Sequence, residues 1–340
     1  MTEDTIDAPL APPPAKRGRP RKEPPQPAPD PRFGQLGHNI GFEPPPEEVA
    51  RLSRDLANAG RTLSIDEARF LVDAYYQMQR DRIRADHQAR TLSQGSEPAD
   101  LLAWLGEQRH ILEKQVARAL DRYSDANAVG RWSRSIDGIG PIIAAGLIAH
   151  LDISHCPTAG HLWRFAGLDP TVEWGKGQKR PWNGALKRLC FLIGESFTKI
   201  SNKEGEAAYY GHIYRGRKAM ETAKNERLEY KDQAEASLAK KRFGADTDAR
   251  KHYEAGRLPP ARIHLRAQRY AVKRFLSDLQ TVAYWNAYST LPRFPWVIEH
   301  GGHTHYVRPP CCPDDLLSAL HERGSVIEPS EAEALRSQRW

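Results

Sequence analysis

Gly138, Ile139, Gly140 and Pro141 separate Ile136 from the apolar stretch Ile142 to Leu151, and the two glycines make a join too tight for side chains. Glycine permits positive φ in such a turn. Pro141 suits the first position of a new helix, whose free backbone N–H groups can face a phosphate. This is a helix-hairpin-helix pattern, and the contact it offers is to a nucleic-acid backbone rather than to base edges. A second group follows in the loop from Trp174 to Asn183. It combines the glycines 175 and 177, the cations Lys176, Lys179 and Arg180, the indoles of Trp174 and Trp182, and the amide of Asn183, with Lys187 shortly beyond. Such a loop allows close approach, neutralises phosphates, stacks on bases and hydrogen-bonds. The alternative is a charged surface loop anchored by two buried tryptophans.

A third group lies further along. Arg262, Arg266, Arg269 and Lys273 recur at helical spacing as one cationic stripe, opposite an apolar side of Leu265, Val272, Leu276 and Leu279, with no acid before Asp278. A stripe of this kind releases counterions on binding a polyanion, so affinity should fall steeply with salt. It could equally cover the domain or pair with acids elsewhere. Near the start, Lys16-Arg17-Gly18-Arg19-Pro20-Arg21-Lys22 has the pattern of an AT-hook. Glycine lets the backbone approach a narrow minor groove, proline keeps it extended, and arginines lie in its negative potential. His300, His303, His305, Cys311 and Cys312 are close in sequence, but their spacing matches no common zinc pattern, so no metal site is assigned.

After the hairpin the chain reads Gly146-Leu147-Ile148-Ala149-His150-Leu151-Asp152-Ile153, then Thr158 to His161, then Phe165-Ala166-Gly167-Leu168-Asp169-Pro170, and finally Asn183-Gly184-Ala185-Leu186-Lys187. In this order, roughly residues 101 to 200 resemble the C-terminal transposase domain of the insertion-sequence family IS-one-ten, IS-one-sixteen and IS-nine-oh-two. A weaker echo runs over Arg262 to Leu279. The resemblance implies a RuvC-like domain whose four carboxylates bind divalent metal, a serine that attacks DNA, and a structured RNA that can guide target choice. Two departures stand out. Where the family carries its serine pair, this chain has Thr171, Val172, Glu173 and Trp174, and its first hundred residues are proline-rich and then helical rather than strand-rich. Thr171 or Ser196 is the candidate replacement nucleophile, without an activating base evident in the sequence.

The elements that must position these groups read as a mostly α fold. Residues 1–46 hold 13 of the 26 prolines and few large apolar side chains, so they are expected to form a disordered arm. A helical hairpin region follows over 47–130. Val49, Leu52 and Leu56 mark a first helix stopped by Gly60, and Ser64 with Glu67 forms a capping box for a second helix with an apolar face of Phe70, Leu71, Ala74, Tyr75 and Met78. Tyr75 and Tyr76 are assigned to packing. After a loop at Ser93 to Pro98, a third helix carries Leu101, Leu105, Leu112, Val116, Ala119, Leu120 and Tyr123, a pattern that fits either an intramolecular hairpin or a coiled-coil dimer. The helix-hairpin-helix domain spans 131–200, a charged helical insertion with a solvated face 201–260, the basic amphipathic helix 261–290, and a C-terminal tail 291–340, where Val297, Tyr306 and Val307 suit short strands.

A net charge of +7 and a pI near 9.2 favour a polyanionic partner, while 27% charged residues and a mean hydropathy of −0.67 argue against a membrane protein. The acidic start, Thr2-Glu3-Asp4, is unlike a secretory signal, and Cys156, Cys190, Cys311 and Cys312 form no disulfide framework, so a bacterial cytoplasm with association to the nucleoid is expected. The expected function is that of a DNA-binding protein of the transposase family, gripping duplex DNA through the hairpin, the tryptophan loop and the AT-hook. The alternative is an active transposase performing DNA transposition, with a catalytic partner chain. Whether the chain is an enzyme stays open. No cofactor is evident, and Mg²⁺ is expected if it is catalytic. Structured RNA and a second copy of the chain are further candidate partners.

Overall fold

Side-chain caps at Ser64, Asn127 and Asn183 open three of the described helices. A computed structural model describes residues 54–92, 100–244, 246–301, 305–324 and 326–332. Arg17, Gly18, Arg19 and Pro20, the start of the helix expected from Glu47, and His303 lie outside them. All the described residues fall within one compact unit, Glu48–Trp340.

Helix α1 (Arg54–Ala59) runs into a 3₁₀ turn at Gly60–Thr62. A Cβ on Gly60 would stand 2.7 Å from the carbonyl oxygen of Ala119, so glycine is demanded there by backbone contact. The Ser64–Glu67 box then opens α2 (Ile65–Leu92). The Ser64 N–H donates to Glu67 Oε2 at 2.8 Å and the Glu67 N–H to Ser64 Oγ at 3.3 Å. Helix α3 (Asp100–Ala126) returns antiparallel on α2, held by the Arg82–Glu113 pair at 2.7 Å. The intramolecular hairpin is therefore formed. Its buried stripe on α2 is Ala68, Val72 and Tyr76, one position away from the expected face; Phe70 points to solvent with 72% exposure, and Leu71 and Tyr75 are half-buried. On α3, Ala119, Leu120 and Tyr123 are buried as expected, whereas Leu101 and Leu112 are exposed.

Asn127 caps α4 (Ala128–Ser135) by accepting from Val129 N at 2.9 Å. The turn Ile136–Gly140 leads to α5 (Pro141–His150), then α6 (Ala159–Phe165) and α7 (Gly184–Lys199). Helix α8 (Tyr209–Glu226) is followed by α9 (Lys231–Lys240) and α10 (Asp248–Glu254), which share a small apolar cluster around Tyr230, Tyr253 and Leu258. The longest helix, α11 (Pro260–Tyr288), is the spine of the main core. Phe275 stacks on Trp132 with ring centroids 5.8 Å apart and meets Phe197 and Tyr210 edge-on. Last come α12 (Trp296–Glu299), β1 (Tyr306–Val307), α13 (Asp314–Arg323) and β2 (Val326–Ile327), with the two strands parallel.

Three expectations change here. The stretch read as a solvated insertion supplies Tyr209, Tyr210, Ile213 and Tyr214 to the core, because α8 lies along α11. The stretch read as a tail supplies Tyr306, Leu316 and Leu320. On α11, Val272, Leu276 and Leu279 are buried but Leu265 is 39% exposed; Ile263 and Ala267 face inward in its place. Two buried polar groups tie the helices together. Tyr210 donates to Asp278 Oδ2 at 2.8 Å, and the fully buried Glu221 accepts from Arg217, Arg266 and Tyr230.

Candidate nucleic-acid interface

The hairpin turn and the basic loop sit at opposite ends of α7. Gly138 has φ +86°, and a Cβ on it would approach the Cβ of Ser196 to 3.1 Å, so this glycine is explained by packing on α7. Ile139 is buried in the core. The Asp137 N–H donates to Ala207 O at 2.9 Å, and Lys203 pairs with Asp137 at 2.7 Å. Gly140 faces open space at the start of α5, where no side chain caps the first turn. Ser196 lies nine residues beyond Lys187, about 13–14 Å along the helix at 1.5 Å per residue. The turn and the loop are thus two separate features of the surface.

The loop is organised by its own side chains. Trp174 donates its indole N–H to Gln178 O at 2.8 Å, and Gln178 Oε1 accepts from Gly175 N at 3.2 Å. Trp182 meets Trp174 edge-on at 6.0 Å and packs over Gly167, where a Cβ would stand 2.7 Å from the indole. Asn183 closes the loop by accepting from Leu186 N at 3.0 Å, which caps α7, and by donating its backbone N–H to Phe165 O at 2.9 Å. Asn183 is thus a structural cap, and Trp182 is half-buried while Trp174 keeps 40% of its surface exposed. Lys176 and Lys179 project into solvent.

Cations far apart in sequence converge beside this loop. Lys187 lies over the Trp182 ring at 4.0 Å, and Arg180 over the Trp174 ring at 5.5 Å. Burial lowers the Lys187 pKa, and the nearby charges of Arg180 and Arg269 lower it further. Burial likewise lowers that of Arg269, helped by Arg262 and Arg266. No acid offsets either group, and among the described residues neither has a carboxylate partner. Lys273 sits 4.9 Å from the Trp163 ring centroid; its pKa is lowered by burial, raised in part by Asp169 and lowered by Arg269. Around Lys187 and Arg269, like charges gathered without a carboxylate raise the local potential.

Arg266 departs from this face. Its Nε donates to Glu221 Oε2 at 2.9 Å, its Nη1 to Gln233 at 3.1 Å, and its guanidinium stacks over Tyr230 at 4.5 Å. The expected stripe is broken at that residue, leaving Arg262, Arg269 and Lys273. Sequence reading missed Asp169 and Trp163 on the rim. Thr171 donates both its N–H (2.9 Å) and its hydroxyl (2.7 Å) to Asp169 Oδ1, the bonding of an Asx turn that the Asp-x-Thr spacing could have signalled. These bonds, Lys273 and Arg164 hold the Asp169 carboxyl below its ordinary range. Among the described residues, no group of three or more His, Cys, Asp or Glu side chains is arranged to hold a metal ion.

Beneath the loop, His150 is buried with its Nδ1 3.3 Å from Asn183 Nδ2, an arrangement that suits a neutral ring accepting from the amide. Burial lowers its pKa, Arg69 adds to the shift, and Asp73 opposes it. A histidine with a depressed folded pKa contributes stability above its unfolded value of 6.5 and loses it as pH falls below. Urea denaturation should therefore give a stability that drops below pH 6.5 by at most about 1.4 kcal/mol per pH unit from this group. The drop should shrink in His150→Gln, and an unchanged pH profile in that variant would count against the buried neutral ring.

Residues 131–186 match the family model described as Transposase IS116/IS110/IS902 family. The match is consistent with a transposase domain of that family and indicates a transposase-type function for this stretch. It takes in the end of α4, the turn, α5, α6, the basic loop and the first residues of α7, a narrower span than the resemblance over 101–200. No curated protein and no solved structure matches the chain. Among the described residues no helix is long and apolar enough to cross a membrane.

Proposed function

We propose that this chain binds duplex DNA through the cationic face made by the basic loop, the first turn of α7 and the middle of α11. The observation that carries the reading is the convergence of Lys187, Arg180 and Arg269 with no carboxylate among them. Lys176, Lys179, Arg262 and Lys273 extend the face, and Trp174 offers an exposed indole for stacking. The open start of α5 at Gly140 is a second backbone contact, and the Arg17–Pro20 motif a tethered minor-groove contact that adds avidity. Arg266 serves the fold, through Glu221. Because the face meets phosphates, it grips DNA without strong sequence reading, and structured RNA competes only as a polyanion. The exposed side chains Phe70, Ile83, Leu101 and Leu112 on α2 and α3 are where a second copy would pack.

The test is the salt dependence of binding to a labelled duplex. Lys179→Ala with Arg180→Ala should weaken binding to all sequences and reduce the slope of log affinity against log salt by about 2, one for each phosphate that the two side chains neutralise. Arg19→Ala should weaken A·T-rich duplexes selectively. An unchanged slope in the double variant removes the loop from the interface.

The second reading is a transposase or recombinase that cuts and joins DNA with Mg²⁺ and a catalytic partner chain. Thr171, standing near the place of the family's serine pair, has its hydroxyl on Asp169 at the rim of the same face. A carboxylate with a depressed pKa is a weak proton acceptor, so the bond fits a turn better than an activated nucleophile. A protein–DNA adduct that survives a denaturing gel and disappears in Thr171→Val would establish the second reading.

A further inference from the structure

We infer that a cavity beside the cationic face takes one unpaired nucleobase of the bound DNA, an inference that rests on the DNA-binding reading above. The cavity has a volume of about 470 Å³ and is walled by Trp163 of α6, Arg274 of α11, and Phe294 and Tyr306 of the segments that follow. That volume lies within the roughly 300–1,000 Å³ of sites that enclose small organic ligands.

Two kinds of group meet there. Phe294 and Tyr306 are tilted rings 5.8 Å apart, and with the Trp163 indole they give the cavity flat apolar walls. Arg274 donates through Nη2 to Val307 O at 2.6 Å and pairs with Asp278 at 2.8 Å, while its buried Nε has no hydrogen-bond partner among the described residues. Nucleobases combine a π face for the walls with ring-nitrogen and carbonyl acceptors for the guanidinium. Two further arginines line the cavity: Arg323, engaged by Pro292 O at 2.5 Å and by the Phe294 ring, and the exposed Arg293, with Glu299 also in the wall. The flat aromatic walls suit a base better than a free phosphate.

Position supports the same occupant. Lys273 and Arg274 are consecutive on α11, the first on the cationic face and the second in the cavity wall. Trp163 joins the two, with Lys273 Nζ over its ring and its indole N–H donated to Lys273 O at 2.9 Å. A strand whose phosphate rests on Lys273 and Arg269 has its adjacent base at the mouth of the cavity once that base leaves the stack. Unstacking is easiest for a base that is already unpaired.

The test uses the full chain and two labelled duplexes, one fully paired and one carrying a single bulged adenine. Fluorescence anisotropy should give the bulged duplex about tenfold tighter binding, the scale of one base stacked on aromatic side chains. Gly160 lines the cavity, and Gly160→Phe is designed to obstruct it with little strain, because a Cβ there meets only Thr158 Oγ1 at 3.7 Å. It should abolish the preference while leaving the paired duplex bound as before, and Phe294→Ala, which removes a wall without blocking the space, should reduce it. Equal binding of both duplexes by the unaltered chain, or a preference that persists in Gly160→Phe, overturns the cavity and leaves the DNA-binding reading standing. Absence of binding to either duplex overturns both.

Discussion

Replacing Lys187 and Arg269 together by glutamate should lower the affinity for duplex DNA about 100-fold or more at moderate salt. Each change removes a charge-assisted contact worth roughly 1.5–3 kcal/mol and adds a repulsive charge at the same place. The two sites are far apart in sequence, on α7 and α11, and are brought together only by the fold. Lys240→Glu with Lys241→Glu changes the net charge equally on the exposed end of α9 and should cost far less. Equal losses in the two double variants would mean that binding follows net charge rather than this face.

The second large effect concerns stability. Glu221 is fully buried and receives Arg217, Arg266 and the Tyr230 hydroxyl, so Glu221→Ala would leave two guanidinium groups without their carboxylate. Breaking one side of a buried ion pair costs about 3–5 kcal/mol, and the urea midpoint should fall accordingly. Burial alone would raise the Glu221 pKa, but Tyr230, Arg217 and Arg266 outweigh it and the net direction is downward. The sign follows: this carboxylate contributes stability above its unfolded value of 4.5 and loses that contribution as pH falls through its folded pKa. A midpoint shift under about 1 kcal/mol would mean that water reaches the network. The same network ties α8 to α11 and so holds the cationic residues on their helix.

Helix existence was legible because caps are local. Ser64 with Glu67 and Pro141 each act within one turn and stand where an element begins, whereas Asn183, read as an amide for nucleic acid, proved to be the cap of α7. The orientation of those helices was less so. Helix α2 carries two overlapping apolar stripes, and only the approach of α3 decides that Val72 and Tyr76 are covered while Phe70 is not. The cationic stripe on α11 was read correctly as a spacing and incompletely as a surface. Its acid partner, Glu221, lies 45 residues earlier on another helix, beyond the reach of periodicity. The hairpin shows the same limit in reverse: the need for glycine at 138 could be read from the turn pattern, but the neighbour that imposes it, Ser196, could not. The likeness to transposases was carried by glycine and proline punctuation within 131–186, the stretch that the family model matches.

The most direct measurement is amide hydrogen exchange of the full chain with and without duplex DNA, read peptide by peptide. A DNA-gripping face gives new protection over 174–187 and 262–273, while α2 and α3 exchange as before. Protection confined to α2, α3 or α9, or none in the loop and on α11 under conditions where the duplex is bound, would contradict the assignment of this face to DNA.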